Sequence, residues 1–206
     1  MQGATMEIEQ VLQFWFGQSI NSATASTQAN LWWRKRPEVD QQIREDFEDG
    51  LRDLVQGEYS DWLNTARGRL AAIIVLDQFS RNMYRDKPQA FAQDALALKW
   101  CLEGLEEKVD LQLEPIERVF FYLPLEHSEE LPMQDLACRK FADLLDQVSA
   151  TEAASSDNTY RGFYQFAERH RDVIQQFGRF PHRNGILGRA STKAEQKYLD
   201  TPGSGF

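Results

Sequence analysis

The sequence predicts an all-α fold, and three observations carry that expectation. Apolar residues recur at steps of three and four along most of the chain. Prolines stand ahead of these runs, at Pro37, Pro88, Pro115 and Pro132, where the first turn of a helix has no use for their missing N–H. No segment alternates apolar and polar residues as a half-buried strand does.

Residues 6–16 place Ile8, Val11, Leu12, Trp15 and Phe16 on helical spacing, and Gly17 supplies a stop. Residues 21–28 are small and polar and read as a loop. Pro37 opens a helix whose buried face is Ile43, Phe47, Leu51 and Leu54. Residues 70–76 are a continuous apolar run that a buried strand would also fit. It continues through Asp77, Phe79 and Arg81 without a turn residue, so helix is preferred over 69–84, at the centre of the domain.

Pro88 begins a helix with Phe91, Ala95, Leu98 and Leu102 on one face and Gly104 at its end. Pro115 begins the next, which Pro124 is expected to kink or end, leaving Glu126-His127-Ser128 at a junction. Pro132 starts a helix carrying Leu136, Phe141, Leu144 and Leu145. Residues 151–159 are poor in apolar side chains and read as a linker. Residues 163–177 form a helix capped by Gly178, and a last short one starts near Thr192, which forms a capping-box pattern with Glu195. A single helical domain over residues 1–206, built from antiparallel helix pairs, is the resulting expectation. The repeat signature of a tetratricopeptide array is not recognisable in the residues themselves.

A net charge of −9 argues against a general nucleic-acid or acidic-membrane binder. The charge is uneven: residues 40–61 are rich in Asp and Glu, whereas residues 161–189 hold six Arg and two His against Glu168 and Asp172. Cys101 and Cys138 lack metal or redox spacing and read as small buried hydrophobes of a reduced compartment. With no long apolar run and no basic-apolar leader, the expected location is cytoplasmic.

All three histidines sit in polar motifs: Glu126-His127-Ser128-Glu129-Glu130, Glu168-Arg169-His170-Arg171 and Gly178-Arg179-Phe180-Pro181-His182-Arg183-Asn184. A carboxylate beside an imidazole raises its pKa and orients its ring, which suits general acid–base work. His127 or His170 is therefore the candidate base, with Glu126 or Asp77 as its orienter. Arg81, Arg179, His182 and Arg183 are the candidate anion ligands, since guanidinium and imidazole groups in a glycine-punctuated loop can cradle a carboxylate or phosphate. Asp77, Arg81 and Arg85 fall at four-residue steps, and Thr65-Ala66-Arg67-Gly68-Arg69 before them could also meet an anion. The competing reading is structural: ion-pair ladders, with Arg179 and Arg183 clamping the C-terminal segment to Asp77, Asp94 or Glu126. Neither the Glu-x-x-His nor the His-Glu-x-x-His spacing occurs, so no metal site is assigned and no cofactor is named.

Six phrases are similar to the domain-of-unknown-function family 924. They are Val11-Leu12-Gln13-Phe14-Trp15-Phe16-Gly17, Leu31-Trp32-Trp33, residues 76–85, residues 91–98, Pro124-Leu125-Glu126-His127-Ser128-Glu129 and residues 177–189. The resemblance spans residues 11–189. It implies an all-helical, tetratricopeptide-like fold and a mostly bacterial, cytosolic distribution, with no established activity and no catalytic residues to carry over. Ser80 stands where many relatives of that family carry Pro.

These readings converge on a polar pocket of Asp77, Arg81, Glu126, His127, His170, Arg179, His182 and Arg183. Its expected partner is an anionic small molecule or a carboxylate-bearing peptide end, with no nucleic acid and no membrane. The alternatives are a hydrolase or lyase using a His–carboxylate pair, and an interaction module presenting Trp32 and Trp33.

Overall fold

The computed structural model describes residues 5–21, 23–151 and 154–205. The fold is all-α, and no strand occurs among the described residues. The order is α1 (Ile8–Phe16), α2 (Thr24–Trp33), α3 (Pro37–Gln56), α4 (Ala66–Ile74), a π-helical turn (Val75–Phe79), α5 (Ser80–Met83), α6 (Asp94–Glu106), α7 (Pro115–Glu126), α8 (Leu131–Thr151), α9 (Ala154–Phe177) and α10 (Lys193–Leu199).

The continuous helix formed by α4, the π turn and α5 runs through the middle. Leu70 to Phe79 is buried on every side, as a run apolar all round requires. Against it pack α1, α3, α6 and α7, and α8 and α9 lie along one another on the far side of α7. The core is aromatic. Phe14 meets Phe47 and Phe79 edge-on, Trp15 meets Phe79 and Phe120, and Trp32 lies 4.6 Å from Phe120. Rings in such edge-to-face pairs add about 0.5–1.5 kcal/mol each to what their burial contributes.

Several helix limits differ from the sequence expectation. The stretch 21–28 is not a loop: α2 starts at Thr24, while residue 22 lies outside the described residues. Its polar first turns have weak helical signal, and the helix is held from its far end. There Trp32 buries its indole and donates Nε1–H to Trp15 O at 2.9 Å. Pro124 does not break α7, because the helix ends two residues later and the lost N–H leaves one carbonyl unmatched. Gly104 does not end α6 either. A Cβ there would stand 2.6 Å from Phe121 and 2.7 Å from Arg69, so this glycine permits a close helix approach.

The buried face of α6 is Ala97, Trp100, Cys101 and Gly104, not Ala95, Leu98 and Leu102. A 3-10 turn at Pro88–Phe91 precedes the helix and resets its phase. The expected linker at 151–159 is mostly helical, since α8 reaches Thr151 and α9 begins at Ala154; residues 152 and 153 lie outside the described residues. The capping box of Thr192 and Glu195 is present, with Thr192 Oγ1 accepting from Glu195 N at 3.2 Å.

Candidate functional site

The π turn gives the central helix one extra residue per turn, and π turns recur at functional sites. It carries Asp77, a carboxylate with no solvent exposure, in the middle of an apolar helix. Three groups answer that charge. His127, the C-cap of α7, contacts Asp77 Oδ1 through Nδ1 at 2.7 Å, Arg81 Nη1 lies 3.2 Å from the same oxygen, and Gln78 donates to Oδ2 at 2.6 Å. A carboxylate oxygen only accepts, so Nδ1 of His127 carries the proton and Nε2 the lone pair. The His127 side chain keeps 15% of its surface open, and among the described residues no hydrogen bond reaches Nε2.

Arg81 continues outward and forks onto Asp94 at 2.9 and 3.1 Å. Asp94 also accepts from Arg183 Nη1 at 3.2 Å, and the Arg183 guanidinium is layered between Phe91 and Phe180 at 4.7 and 4.6 Å. Glu126, just before His127, turns toward α9, where its Oε1 lies 3.3 Å from His170 Nδ1. His170 donates that Nδ1–H to Phe166 O at 2.9 Å, and its ring centroid is 6.4 Å from that of His127. His182 lies against Phe180 at 5.6 Å, on the same side as Arg183.

The structure thus places Asp77, Arg81, Glu126, His127, His170, His182 and Arg183 in one neighbourhood. Arg179 points elsewhere: it forks onto Glu195 at 2.6 and 2.8 Å and donates to Ala190 O, fastening α10 to the end of α9. Arg189 and Glu129 make a similar clasp at 2.6 and 2.9 Å, and Glu129 also accepts from Phe180 N. The 65–69 cluster is internal. Thr65 caps α4 through Gly68 N, Arg67 pairs with Glu9 and Glu117, and Arg69 reaches Leu63 O, Trp100 O and Glu107. Arg85 leaves the expected ladder for Asp40 on α3 at 2.7 Å. Asp94 enters the sequence reading only as a clamp partner. Its role as the bridge between two guanidiniums has no local signal, because one Asp at the start of a helix is ordinary.

The family model described as a bacterial protein of unknown function, DUF924, matches residues 11–203. The chain belongs to the DUF924 family. It is also similar to a solved structure from Agrobacterium tumefaciens described as a protein of unknown function. The two are 31% identical over 94% of this chain and 96% of the other, with a TM-score of 0.75. No curated protein matches the chain.

The electrostatics of this DUF924 chain separate two carboxyls that lie close together. Burial works to raise the Asp77 carboxyl, but Arg81 and His127 outweigh it and hold Asp77 well below the usual carboxylate range. Burial, with the Asp77 charge, pushes Glu126 up to about 8. His127 is lowered by burial and by Arg81, with Asp77 opposing, so its imidazole is neutral rather than charged. Burial also lowers His170, and His182 falls to about 4 through burial and Arg183. Arg183 itself is pulled down to about 10 by burial and by Arg81. Among the described residues no three His, Cys, Asp or Glu side chains group as metal ligands, and no helix is long and apolar enough to cross a membrane.

Proposed function

We infer that the Asp77–His127 pair is the proton-handling centre of an enzyme acting on a small anionic molecule, a hydrolase or lyase by reaction class. The observation that supports this reading is the 2.7 Å contact between His127 Nδ1 and a fully buried carboxylate, with Nε2 left to the open side. A charged group placed in the most apolar helix of a fold must be paired or used, and this one orients an imidazole. Asp77 fixes the tautomer and steadies the imidazolium that forms when Nε2 takes a proton. A base oriented in this way typically contributes about 10²–10⁴-fold to a rate.

Arg81 supplies the charge that meets an anionic substrate, because its side chain is 19% exposed and it stands beside His127 through their shared Asp77 oxygen. Arg183 and Asp94 hold Arg81 in place from the other side. Arg179 belongs to the clasp of the C-terminal segment and is left out of the substrate site. The test is a panel of carboxylic and phosphoric ester substrates and β-eliminating acids, assayed with the wild type, His127→Gln and Asp77→Asn. The expected result is a turnover that falls at least about a hundredfold in both variants. Turnover unaffected by His127→Gln removes the reading.

A further inference from the structure

Four charged side chains form one unbroken chain of contacts beside His127. Asp77 Oδ1 meets His127 Nδ1 at 2.7 Å and Arg81 Nη1 at 3.2 Å. Arg81 forks onto Asp94, which also accepts from Arg183 at 3.2 Å. Asp77 and Arg183 are buried, and Arg81 and Asp94 keep only 19% and 22% of their side-chain surface open. With His127 neutral, the two guanidiniums and two carboxylates balance. The other titratable groups around His127 do not change that balance. His170 from α9 and His182 from the loop after it are held neutral by burial, with Arg183 adding to it. Glu129 is matched by Arg189. Glu126 turns toward α9, where the proton on His170 Nδ1 is directed at Phe166 O. Glu126 Oε1 has no hydrogen-bond partner among the described residues, and a carboxyl sealed without a cation keeps its proton.

An uncompensated charge in so dry a cluster is costly. A proton on His127 alone leaves an excess positive charge beside two guanidiniums. An anion on Arg81 alone leaves an excess negative charge beside Asp77 and Asp94. Each removes the penalty of the other. Arg81 has an edge to offer, because its contacts run through Nη1 and Nη2 and no hydrogen bond reaches its Nε among the described residues. The fork it makes on Asp94 shows the fit of a guanidinium edge to a planar carboxylate. We propose that the substrate is a carboxylic acid whose carboxylate seats on Arg81 and, by doing so, gives His127 Nε2 the affinity to hold a proton. The proposal rests on the reading of His127 as the proton-handling group. Arg81 keeps the free imidazole from charging, and a carboxylate on Arg81 cancels that field. His127 thus becomes a strong base only when an acid is bound. In turnover the bond to hydrogen breaks in the substrate, its electron pair stays there, and an N–H bond forms at Nε2. With an unreactive carboxylate the proton comes from solvent. A phosphate monoester, with a charge of about −2 at neutral pH, leaves one charge unmatched and is the poorer occupant.

The test adds sodium acetate to the wild type carrying nitrogen-15 in its His rings, with sodium chloride and sodium phosphate at equal ionic strength as the other arms. Acetate is expected to move the His127 ring nitrogens toward imidazolium values, and chloride and phosphate to move them less. Calorimetry in two buffers of different ionisation enthalpy is expected to show uptake of about one proton per acetate, with affinity falling about tenfold per pH unit above neutrality. Arg81→Gln is expected to abolish the response while the backbone amide spectrum keeps its dispersion. The proposal is overturned if acetate does not bind, if it binds without proton uptake, or if the proton goes to His170 or His182. It is also overturned if chloride or phosphate matches acetate, or if Arg81→Gln responds as the wild type does. Should that variant not fold, the wild-type arms decide alone. None of these signals depends on turnover, so this proposal can fail while His127 remains the base, and the base reading fails separately when His127→Gln keeps its activity.

Discussion

Replacing Glu126 by Gln gives the sharpest energetic test, because the structure fixes both its sign and its pH window. The folded chain holds this carboxyl near 8 against an ordinary 4.5, so the native state keeps a proton that the unfolded state loses. Its contribution to stability is therefore fully present below about pH 4.5, declines as pH rises, and is gone above about pH 8. Each pH unit in that window costs the wild type about 1.4 kcal/mol, which accumulates to roughly 3–5 kcal/mol. Gln has no such slope. Its amide adds a constant cost of about 1–3 kcal/mol for unmatched polar atoms, and that cost does not vary with pH. Urea unfolding of both proteins at several pH values, after a check that the transition is two-state, isolates the difference. The variant is expected to gain on the wild type steadily from acid to mildly alkaline pH. A stability difference that is flat with pH would refute the argument that Glu126 is buried as a neutral acid.

Asp77→Asn leaves Arg81 and His127 facing an amide, and is expected to cost about 3–5 kcal/mol, seen as an earlier urea midpoint. Gly104→Ala forces a methyl into Phe121, Arg69 and Val109, with an expected loss of about 1–3 kcal/mol and a lowered thermal midpoint. Asp94→Asn removes the bridge between Arg81 and Arg183, so limited proteolysis is expected to cut the segment after Phe177 faster than in the wild type, with the helical signal retained. Cleavage at the wild-type rate would show that the clasps at Glu129 and Glu195 hold the segment without Asp94.

The helices were legible wherever apolar spacing and a terminal signal agreed. Ile43, Phe47, Leu51 and Leu54 after Pro37 are buried as their spacing requires, and the Thr192–Glu195 capping box stands where its residues place it. Local rules fail where tertiary contact overrides them. Gly104 reads as a terminator, yet its meaning is the nearness of Phe121 and Arg69, which no local window contains. The polar start of α2 is carried by Trp32, eight residues onward, through its contact with Trp15. The same limit applies to the polar groups. The sequence marks His127, His170 and His182 as unusual, but cannot say that Glu126 and His127, adjacent in the chain, face different partners. Arg179 and Arg183 look alike in sequence, four residues apart in one basic loop. One fastens α10 and the other is layered between two phenyl rings beside Asp94.

Reactivity toward diethyl pyrocarbonate reads whether His127 is a neutral, oriented imidazole open to solvent. The reagent acylates unprotonated imidazole nitrogens that it can reach, and peptide mapping by mass spectrometry assigns the sites. At neutral pH modification is expected at His127 ahead of the buried His170, and more slowly in Asp77→Asn, where the ring loses its charged partner. A His127 that stays unmodified while His170 or His182 reacts would overturn its assignment as the open base.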